Sequence, residues 1–202
     1  RFYENLLGRS RAFIWHIFPI MQSIFPLQMQ GVGAEDIYRA VNKVQPSLIR
    51  TEADEVTYSL HVMIRYELEK KVMCGKLSVH DLPREWNRLY KEYLGVTVPD
   101  DTHGVLQDCH WSQGSIGYFP SYALGSAYGA QMIAKMEEDL GDVYADVAKG
   151  DLSKVTAWLK EKIHRYASFK KPGDLFAAVC GEFDVNHYME YLTGKFTELY
   201  NL

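Results

Sequence analysis

The stretch TEADEVTYSLHVMIRYELEKKVMCG, residues Thr51 to Gly75, carries the clearest helix signals in the chain. Thr51 is of a type that caps helix N-termini, and acidic residues fill the turn that follows it. Lys70 and Lys71 stand near the other end, where the helix dipole favours cations, and Gly75 is a typical helix stop. These signals predict one long helix that begins after Thr51 and ends before Gly75.

Helix signals continue on both sides of this stretch and predict an all-α fold. The expected helices are Arg1 to about Phe18, Ala34 to Val44, Leu82 to Leu94 after an Asp81 cap, Pro120 or Ser121 to about Leu140, Asp142 to Lys149, Asp151 to Ser168, Asp174 to Cys180 and Asp184 to Leu202. One or two very short strands, around Leu77 to Val79 or Ser115 to Phe119, are compatible with the pattern. No linker or repeat interrupts the chain, so residues 1–202 are expected to form a single helical unit.

Two glycines in the predicted helix from about Pro120 to Leu140 indicate close packing. Gly125 and Gly129 are four residues apart and therefore lie on the same helix face. Neither has a side chain to hold a neighbour away. We expect another backbone to approach this face closely.

Composition and charge indicate an ordinary globular protein and argue against nucleic-acid binding. Apolar residues make up 47% and charged residues 24% of the chain, which are ordinary globular values, and the net charge of -4 gives no basic surface for nucleic acid. The three cysteines, Cys74, Cys109 and Cys180, are odd in number and widely spaced. This spacing favours reduced thiols in a cytoplasmic protein over a disulfide framework or a paired-cysteine metal site.

The most apolar segment, residues 12–34, contains no Asp, Glu, Lys or Arg. It is interpreted as buried core and not as a membrane span, because it contains a histidine and three glutamines that are costly in lipid. Pro19 and Pro26 would also interrupt a continuous helix, and Pro19 is expected to mark the end of the first one.

The stretch GVLQDCHWSQGSIGYFPSY, residues Gly104 to Tyr122, concentrates reactive and aromatic side chains. Glycine lets a backbone approach a ligand closely, and aromatic rings supply rigid walls with polar tips. The same residues would also suit a packed core between helices, with His110 as an internal hydrogen-bonding group. Composition alone does not separate a site from such a core.

Two sequence motifs favour a functional site over a packed core. Residues 104–111 read G-x-x-Q-D-x-H-W and residues 49–54 read I-R-x-x-A-D, and both resemble signature motifs of the carboxypeptidase Taq family of zinc metallocarboxypeptidases. The segments RFYENLLGRSR at the start and GYFPSYALG later are similar to the family as well. The resemblance implies a helical, zincin-like fold and a cytoplasmic homodimer that binds zinc and acts on peptides with a free C-terminal carboxylate.

The resemblance also implies that the metal ligands lie outside this chain. The family binds zinc through an H-E-x-x-H helix and a downstream glutamate, both upstream of the R-x-x-E-N segment with which this chain begins. No metal-ligating residue is therefore assigned here. The chain is expected to be the truncated or processed C-terminal part of a larger catalytic domain, and to be inactive alone.

Arg50 precedes Thr51, the predicted helix cap, where the helix dipole disfavours a cation. A bound carboxylate would explain the arginine. Spacing alone favours a local ion pair with Glu52, Asp54 or Glu55. The family resemblance instead implies that Arg50 binds the substrate carboxylate and that Asp54 orients Arg50 or the helix.

His110 lacks an H-x-x-x-H partner, so it is a poor metal ligand and is assigned to hydrogen bonding with the substrate or the tetrahedral intermediate. Gln107 and Asp108 are expected to fix the histidine tautomer or the orientation of metal ligands. Tyr118 and Tyr122 are both candidates to donate to the oxyanion, and the sequence does not choose between them. Cys109 is disfavoured as a nucleophile, because residues adjacent in sequence rarely face each other.

These observations predict the C-terminal portion of a zinc carboxypeptidase. The alternative is a non-enzymatic helical module that uses the same cleft to bind peptide tails. An unrelated helical enzyme that uses Cys109 or His110 is a third interpretation. Among the remaining histidines, His61 has the strongest claim to a role, since it lies on the helix that follows Arg50.

Overall fold

The computed structural model describes all residues from Arg1 to Leu202, and every regular element in it is helical. The α-helices are α1 (Arg11–Ile24), α2 (Ala34–Val41), α3 (Tyr58–Met73), α4 (Leu82–Leu94), α5 (Pro120–Leu140), α6 (Val143–Val147), α7 (Ser153–Lys162), α8 (Pro172–Cys180) and α9 (Asn186–Tyr200). The all-α prediction is confirmed. The short strands considered around Leu77 to Val79 and Ser115 to Phe119 are wrong, because the first segment leads into a 3-10 helix at Val79–Asp81 and the second is irregular with turns.

The helix predicted to begin after Thr51 begins later, at Tyr58. Residues Arg50–Glu52 form one 3-10 turn, and Ala53 is extended. Thr57 is the residue before the helix, and the carboxylate of Asp54, not Thr51, binds the turn that leads into it. This carboxylate accepts hydrogen bonds from the backbone N–H groups of Val56 and Thr57 at 2.9 and 2.8 Å. Thr51 was a wrong prediction because a second capping residue follows it closely and competes for the same role.

The first predicted helix is two elements. A π-helical segment, Phe2–Gly8, precedes α1, and the extended residue Ser10 separates them and accepts a hydrogen bond from the Phe13 N–H at 3.2 Å. Pro19 lies inside α1 and not at its end. A proline inside a helix removes one backbone hydrogen bond and crowds the carbonyl four residues earlier, yet α1 continues past it to Ile24.

The apolar segment of residues 12–34 is not the buried core that its composition indicates. Only Ile14 of α1 is fully buried. Large apolar side chains are exposed by 42 to 81%: Trp15, Ile20, Ile24, Phe25 and Leu27. Because apolar residues occur all round this helix, packing on one side leaves the others in contact with solvent. No helix in the chain is both long enough and apolar enough to cross a membrane.

Contacts divide the chain into two compact units. Unit 1 consists of Arg1–Val41 and Gly125–Leu202, and unit 2 of Asn42–Leu124. The sequence predicts one helical unit over residues 1–202, and membership of both compact units in one larger catalytic domain stays a prediction. The core of unit 1 is formed by Leu6, Leu7, Ile133, Met136, Val143, Val147, Val155, Trp158 and Leu159.

Unit 2 contains every residue assigned to the site from the sequence. Its main core lies where α3 packs against α4, with Ile64, Leu68, Trp86, Leu89 and Tyr90 almost completely buried. The long apolar side chains of both helices recur at three- and four-residue intervals, which brings them onto one face. This core fixes α3 as the rigid element beside the site.

The close approach predicted at the α5 glycines is confirmed at Gly129. A Cβ atom placed there would lie 3.1 Å from Leu6 Cδ1 and 3.8 Å from the backbone Cα of Phe2, whereas one at Gly125 would meet only the Arg1 side chain, at 3.6 Å from Cγ. Alanine in a helix interior is favoured over glycine by about 0.5–1 kcal/mol. We expect Gly125→Ala to raise the free energy of unfolding by about that amount. At Gly129 the crowding against buried Leu6 should cancel the gain.

Urea unfolding of the two variants beside the parent chain checks this expectation. Equal stabilisation by both substitutions would contradict the close contact at Gly129.

Candidate functional site

Arg50 lies in the 3-10 turn before α3, and its side chain is 7% exposed. Its Nε and Nη2 groups donate to Asp108 Oδ1 at 3.0 and 2.8 Å, and Nη1 donates to the Tyr58 hydroxyl at 2.8 Å. The local ion pair with Glu52, Asp54 or Glu55 that spacing favours is therefore wrong. Burial opposes the charge on Arg50, but the hydrogen bonds and charge of Asp108 outweigh burial and raise the pKa of Arg50 above its usual range.

Asp108 is shared by two arginines. Its second oxygen, Oδ2, accepts from Nε of Arg65, whose side chain is fully buried on α3. Burial alone would raise the pKa of Asp108, but the charges and hydrogen bonds of Arg65 and Arg50 hold it below its ordinary value. Asp108 is therefore ionised at neutral pH, and the hydrogen-bonded set contains two cations and one anion. Arg65 was not identified from the sequence.

Gln107 joins the two motifs. Its Oε1 atom accepts from the backbone N–H of Arg50 at 3.0 Å and from Nη2 of Arg65 at 2.8 Å. Its Nε2 group donates to the backbone carbonyls of Leu48 and His103 at 3.0 and 3.1 Å. Because every polar atom of this amide is engaged, the side chain holds the 3-10 turn of Arg50 against the loop that carries Asp108.

The role expected for Gln107 and Asp108 towards His110 differs from the observed contacts. Asp108 Oδ1 lies 3.9 Å from His110 Nδ1, which is longer than a hydrogen bond. Neither side chain fixes the histidine tautomer directly, and both contact arginines. Asp54 lies in the turn before α3, where it also accepts from the backbone N–H of Gln45 at 3.0 Å, and it makes no hydrogen bond to Arg50.

His110 lies among aromatic rings. Its Nε2 atom is 3.1 Å from the Tyr122 hydroxyl, and its ring stacks against Tyr118 with centroids 5.7 Å apart. Phe119 contacts it at a centroid distance of 4.5 Å. The other ring nitrogen, Nδ1, is buried and has no hydrogen-bond partner in the protein.

The two tyrosines differ in environment. Tyr118 is 50% exposed, whereas Tyr122 is partly buried and its ring lies 5.0 Å from the Arg50 guanidinium carbon. Burial, together with the nearby Tyr118, raises the pKa of Tyr122. Its hydroxyl therefore stays protonated at neutral pH and is able to donate a hydrogen bond.

One face of α3 supports this arrangement. Tyr58, His61, Arg65 and Glu69 succeed one another at three- and four-residue intervals, and all four are buried. His61 Nδ1 is 3.1 Å from the Tyr90 hydroxyl, which also accepts from Arg65 Nη1 at 3.2 Å. Burial and the charge of Arg65 lower the pKa of His61 to about 4, so the ring is neutral at pH 7.

The described residues do not form a metal centre. No group of three or more His, Cys, Asp or Glu side chains is placed to hold a metal ion. Two side chains of the site are of metal-ligating types, and both already have partners in the protein. His110 contacts Tyr122, and Asp108 pairs with two arginines. A cavity of about 630 Å³ lies in unit 1, and none of the residues assigned to the site lines it.

Comparison with known proteins gives one family. The family model for the carboxypeptidase Taq (M32) metallopeptidases matches residues 1–196. Carboxypeptidase 1 of Bacillus subtilis is 44% identical over 202 residues, which are 100% of this chain and 40% of the relative. Thermostable carboxypeptidase 1 of Thermus thermophilus is 42% identical over 201 residues, with 99% and 39% covered.

Solved structures of carboxypeptidases also match this chain. The crystal structure of the M32 carboxypeptidase from Deinococcus radiodurans matches with a TM-score of 0.96 and 44% identity, and covers 100% of this chain and 41% of that one. Metallocarboxypeptidase 1 of Trypanosoma cruzi matches with a TM-score of 0.91 and 38% identity, with 96% and 41% covered. The chain spans about two fifths of the length of these relatives.

Proposed function

The chain belongs to the carboxypeptidase Taq (M32) metallopeptidase family, and we propose that it is the C-terminal portion of a zinc-dependent carboxypeptidase. The complete enzyme hydrolyses the last peptide bond of peptides, and this portion supplies contacts to the substrate carboxylate and to the transition state. Membership of a metallopeptidase family and the two-fifths coverage of carboxypeptidase relatives support this proposal. A cytoplasmic homodimer is part of the same proposal.

The observation that carries the proposal is the excess positive charge around Arg50. Two guanidinium groups share the single carboxylate of Asp108 within the hydrogen-bonded set. A guanidinium has five N–H groups. Three of those on Arg50 are engaged, which leaves two. A substrate carboxylate that accepts from both would balance the charge and bind in the bidentate geometry that arginine favours.

The neighbours of Arg50 make it a rigid ligand for a carboxylate. Asp108 and Tyr58 hold its guanidinium from two sides, and Gln107 holds its backbone N–H. Because the side chain is already fixed, binding costs little additional rotamer entropy. The low dielectric around a buried guanidinium also strengthens its attraction for an anion.

His110, Tyr118 and Tyr122 are proposed to act on the reacting carbonyl. The Tyr122 ring lies 5.0 Å from the guanidinium carbon of Arg50, the Tyr122 hydroxyl lies 3.1 Å from His110 Nε2, and His110 Nδ1 has no partner in the protein. A hydroxyl or ring N–H that points at the carbonyl oxygen would stabilise the negative charge that develops on it during attack. Tyr122 is favoured over Tyr118 for this donation, because it is less exposed and its hydroxyl lies within hydrogen-bond distance of His110 Nε2.

The zinc ligands are proposed to lie in residues of the complete polypeptide other than the 202 described, since these do not form a metal centre. Two blocked peptides that differ only in a C-terminal carboxylate or carboxamide test the proposal in the complete polypeptide. We expect hydrolysis of the acid only, loss of hydrolysis on chelation and its return with zinc. The 202-residue chain alone should hydrolyse neither peptide.

Equal hydrolysis of acid and amide, or hydrolysis that survives chelation, would contradict the proposal. A non-enzymatic peptide-binding module is the second candidate, because recognition of a peptide carboxylate by the two remaining N–H groups of Arg50 requires no metal. That module would bind the acid peptide in preference to the amide and cleave neither, even with zinc added.

A further inference from the structure

Glu69, on α3, binds the loop that carries the proposed catalytic residues at two points. Its side chain is buried in unit 2, and both carboxylate oxygens are occupied. Oε2 accepts from the indole Nε1 of Trp111 at 2.9 Å, and Oε1 accepts from the backbone N–H of Gly117 at 2.5 Å. Hydrogen bonds that a carboxylate accepts from N–H groups are about twice as strong as hydrogen bonds between two neutral groups.

The two residues that Glu69 binds are the immediate neighbours of two proposed catalytic residues. His110 precedes Trp111, and Tyr118 follows Gly117. The rings of His110 and Tyr118 stack with an interplanar angle of 30°. One carboxylate therefore holds both ends of the segment that separates these rings.

That segment has no regular secondary structure to hold it. Residues 112–116 form turns, and Gly114 and Gly117 have φ angles of +76° and +77°, which glycine adopts readily. Short backbone bonds close the first part, for example from the Ser115 N–H to the His110 carbonyl. The Gly117 N–H bonds to Glu69 and not to the loop itself.

We propose that Glu69 is a positioning residue, which sets the relative placement of His110 and Tyr118 by holding Trp111 and Gly117. This inference rests on the proposed carboxypeptidase function. Arg65, one helical turn earlier, binds Gln107 and Asp108 at the start of the same loop. The two side chains together fix the loop to the rigid face of α3 at both ends.

Glu69→Gln is the informative variant, because it keeps the shape of the side chain and removes one acceptor. The two donors bond to different oxygens of Glu69, and a carboxamide has an NH₂ group in place of one of them, so the present pair of bonds cannot both be kept. Glu67→Gln is the matched control. Glu67 lies on the same helix, and its carboxylate accepts from the Tyr93 hydroxyl, away from the loop.

The first measurement is NMR of the 202-residue chain with nitrogen-15 labelling. In Glu69→Gln we expect the indole N–H of Trp111 or the amide N–H of Gly117 to exchange with solvent at least about tenfold faster. The ring protons of His110 should shift, because their stacking on Tyr118 changes. Glu67→Gln should leave these signals unchanged. Unchanged exchange and unchanged His110 signals in Glu69→Gln would overturn the proposal.

The second measurement is activity of the complete polypeptide on the acid peptide. We expect Glu69→Gln to lower kcat by about 10- to 100-fold with KM changed by less than about threefold, since misplaced reacting groups slow the chemical step. Glu67→Gln should match the parent. Altered NMR signals with an unaltered kcat would overturn the positioning role.

An inactive parent polypeptide and an unfolded Glu69→Gln variant are two further outcomes, and each has its own test. If the parent polypeptide hydrolyses no peptide, the proposed function fails, and the His110 ring signals alone decide whether Glu69 positions the loop. If Glu69→Gln does not fold, Trp111→Phe removes the indole donor alone. We then expect a shift of the His110 ring protons and a fall in kcat, and the absence of both would overturn the proposal.

Discussion

Replacing Asp108 by asparagine is expected to lower the free energy of unfolding by about 3–5 kcal/mol, the usual cost of removing one partner from a buried ion pair. Arg65 is fully buried and Arg50 nearly so, and Asp108 is the carboxylate that both contact. The carboxamide keeps the volume but presents an NH₂ group to one guanidinium. Urea unfolding at neutral pH measures the loss.

Asp101→Asn is the matched control, because Asp101 is an exposed acid in the same loop. We expect it to change the free energy of unfolding by less than about 0.5 kcal/mol. A loss for Asp108→Asn no greater than that for Asp101→Asn would contradict the shared ion pair.

The loss on Asp108→Asn should also depend on pH. Because the folded protein holds the pKa of Asp108 below its ordinary value, the stability from its ionised form is fully present above about pH 4, the unfolded pKa. It disappears as the pH falls through the lower folded value. The difference in unfolding free energy between the parent chain and the variant should therefore shrink below about pH 4. A difference that is constant with pH would show that ionisation of Asp108 is not its source.

Replacing Arg50 by lysine is expected to lower kcat/KM of the complete polypeptide by about 100-fold on a peptide with a free C-terminal carboxylate, equivalent to about 2.7 kcal/mol. Lysine keeps the positive charge but lacks the planar fork that donates to Asp108, Tyr58 and a substrate carboxylate at the same time. The effect should fall chiefly on KM, because a carboxylate held by Arg50, as proposed, would be bound in both the ground state and the transition state.

The carboxamide peptide supplies the control substrate for Arg50→Lys. In this variant, kcat/KM for the carboxylate peptide divided by kcat/KM for the carboxamide peptide should fall towards equality, which is the value for a site that does not recognise the carboxylate. Arg84→Lys controls for loss of an arginine elsewhere, since Arg84 is 82% exposed on α4. If Arg50→Lys kept the full preference for the acid, Arg50 would not be the carboxylate ligand.

The helices are predictable from the sequence to the extent that one local signal decides each of them. α5 begins with Pro120 and ends at Leu140 as its pattern indicates. α3 begins seven residues after the expected cap, because Thr51 and Asp54 are both good caps and only the folded backbone shows which one is used. The exposed apolar side of α1 is not predictable, because composition does not state which residues a helix buries.

The site is predictable where a motif concentrates unusual side chains. Arg50, Gln107 and Asp108 belong to the two motifs and contact one another directly. Arg65 and Glu69 were missed because an arginine and a glutamate four residues apart on a helix resemble an ordinary surface ion pair. Their actual partners are about 40 residues later in the chain, and no local signal indicates that pairing.

The most direct test of the proposal that the zinc ligands lie outside these 202 residues is the zinc content of the purified 202-residue chain. Elemental analysis after removal of loosely bound metal would be compared with the complete polypeptide treated in the same way. We expect essentially no zinc in the chain and stoichiometric zinc in the complete polypeptide. Tightly held, stoichiometric zinc in the chain alone would contradict the proposal that these residues supply substrate contacts and no metal ligands.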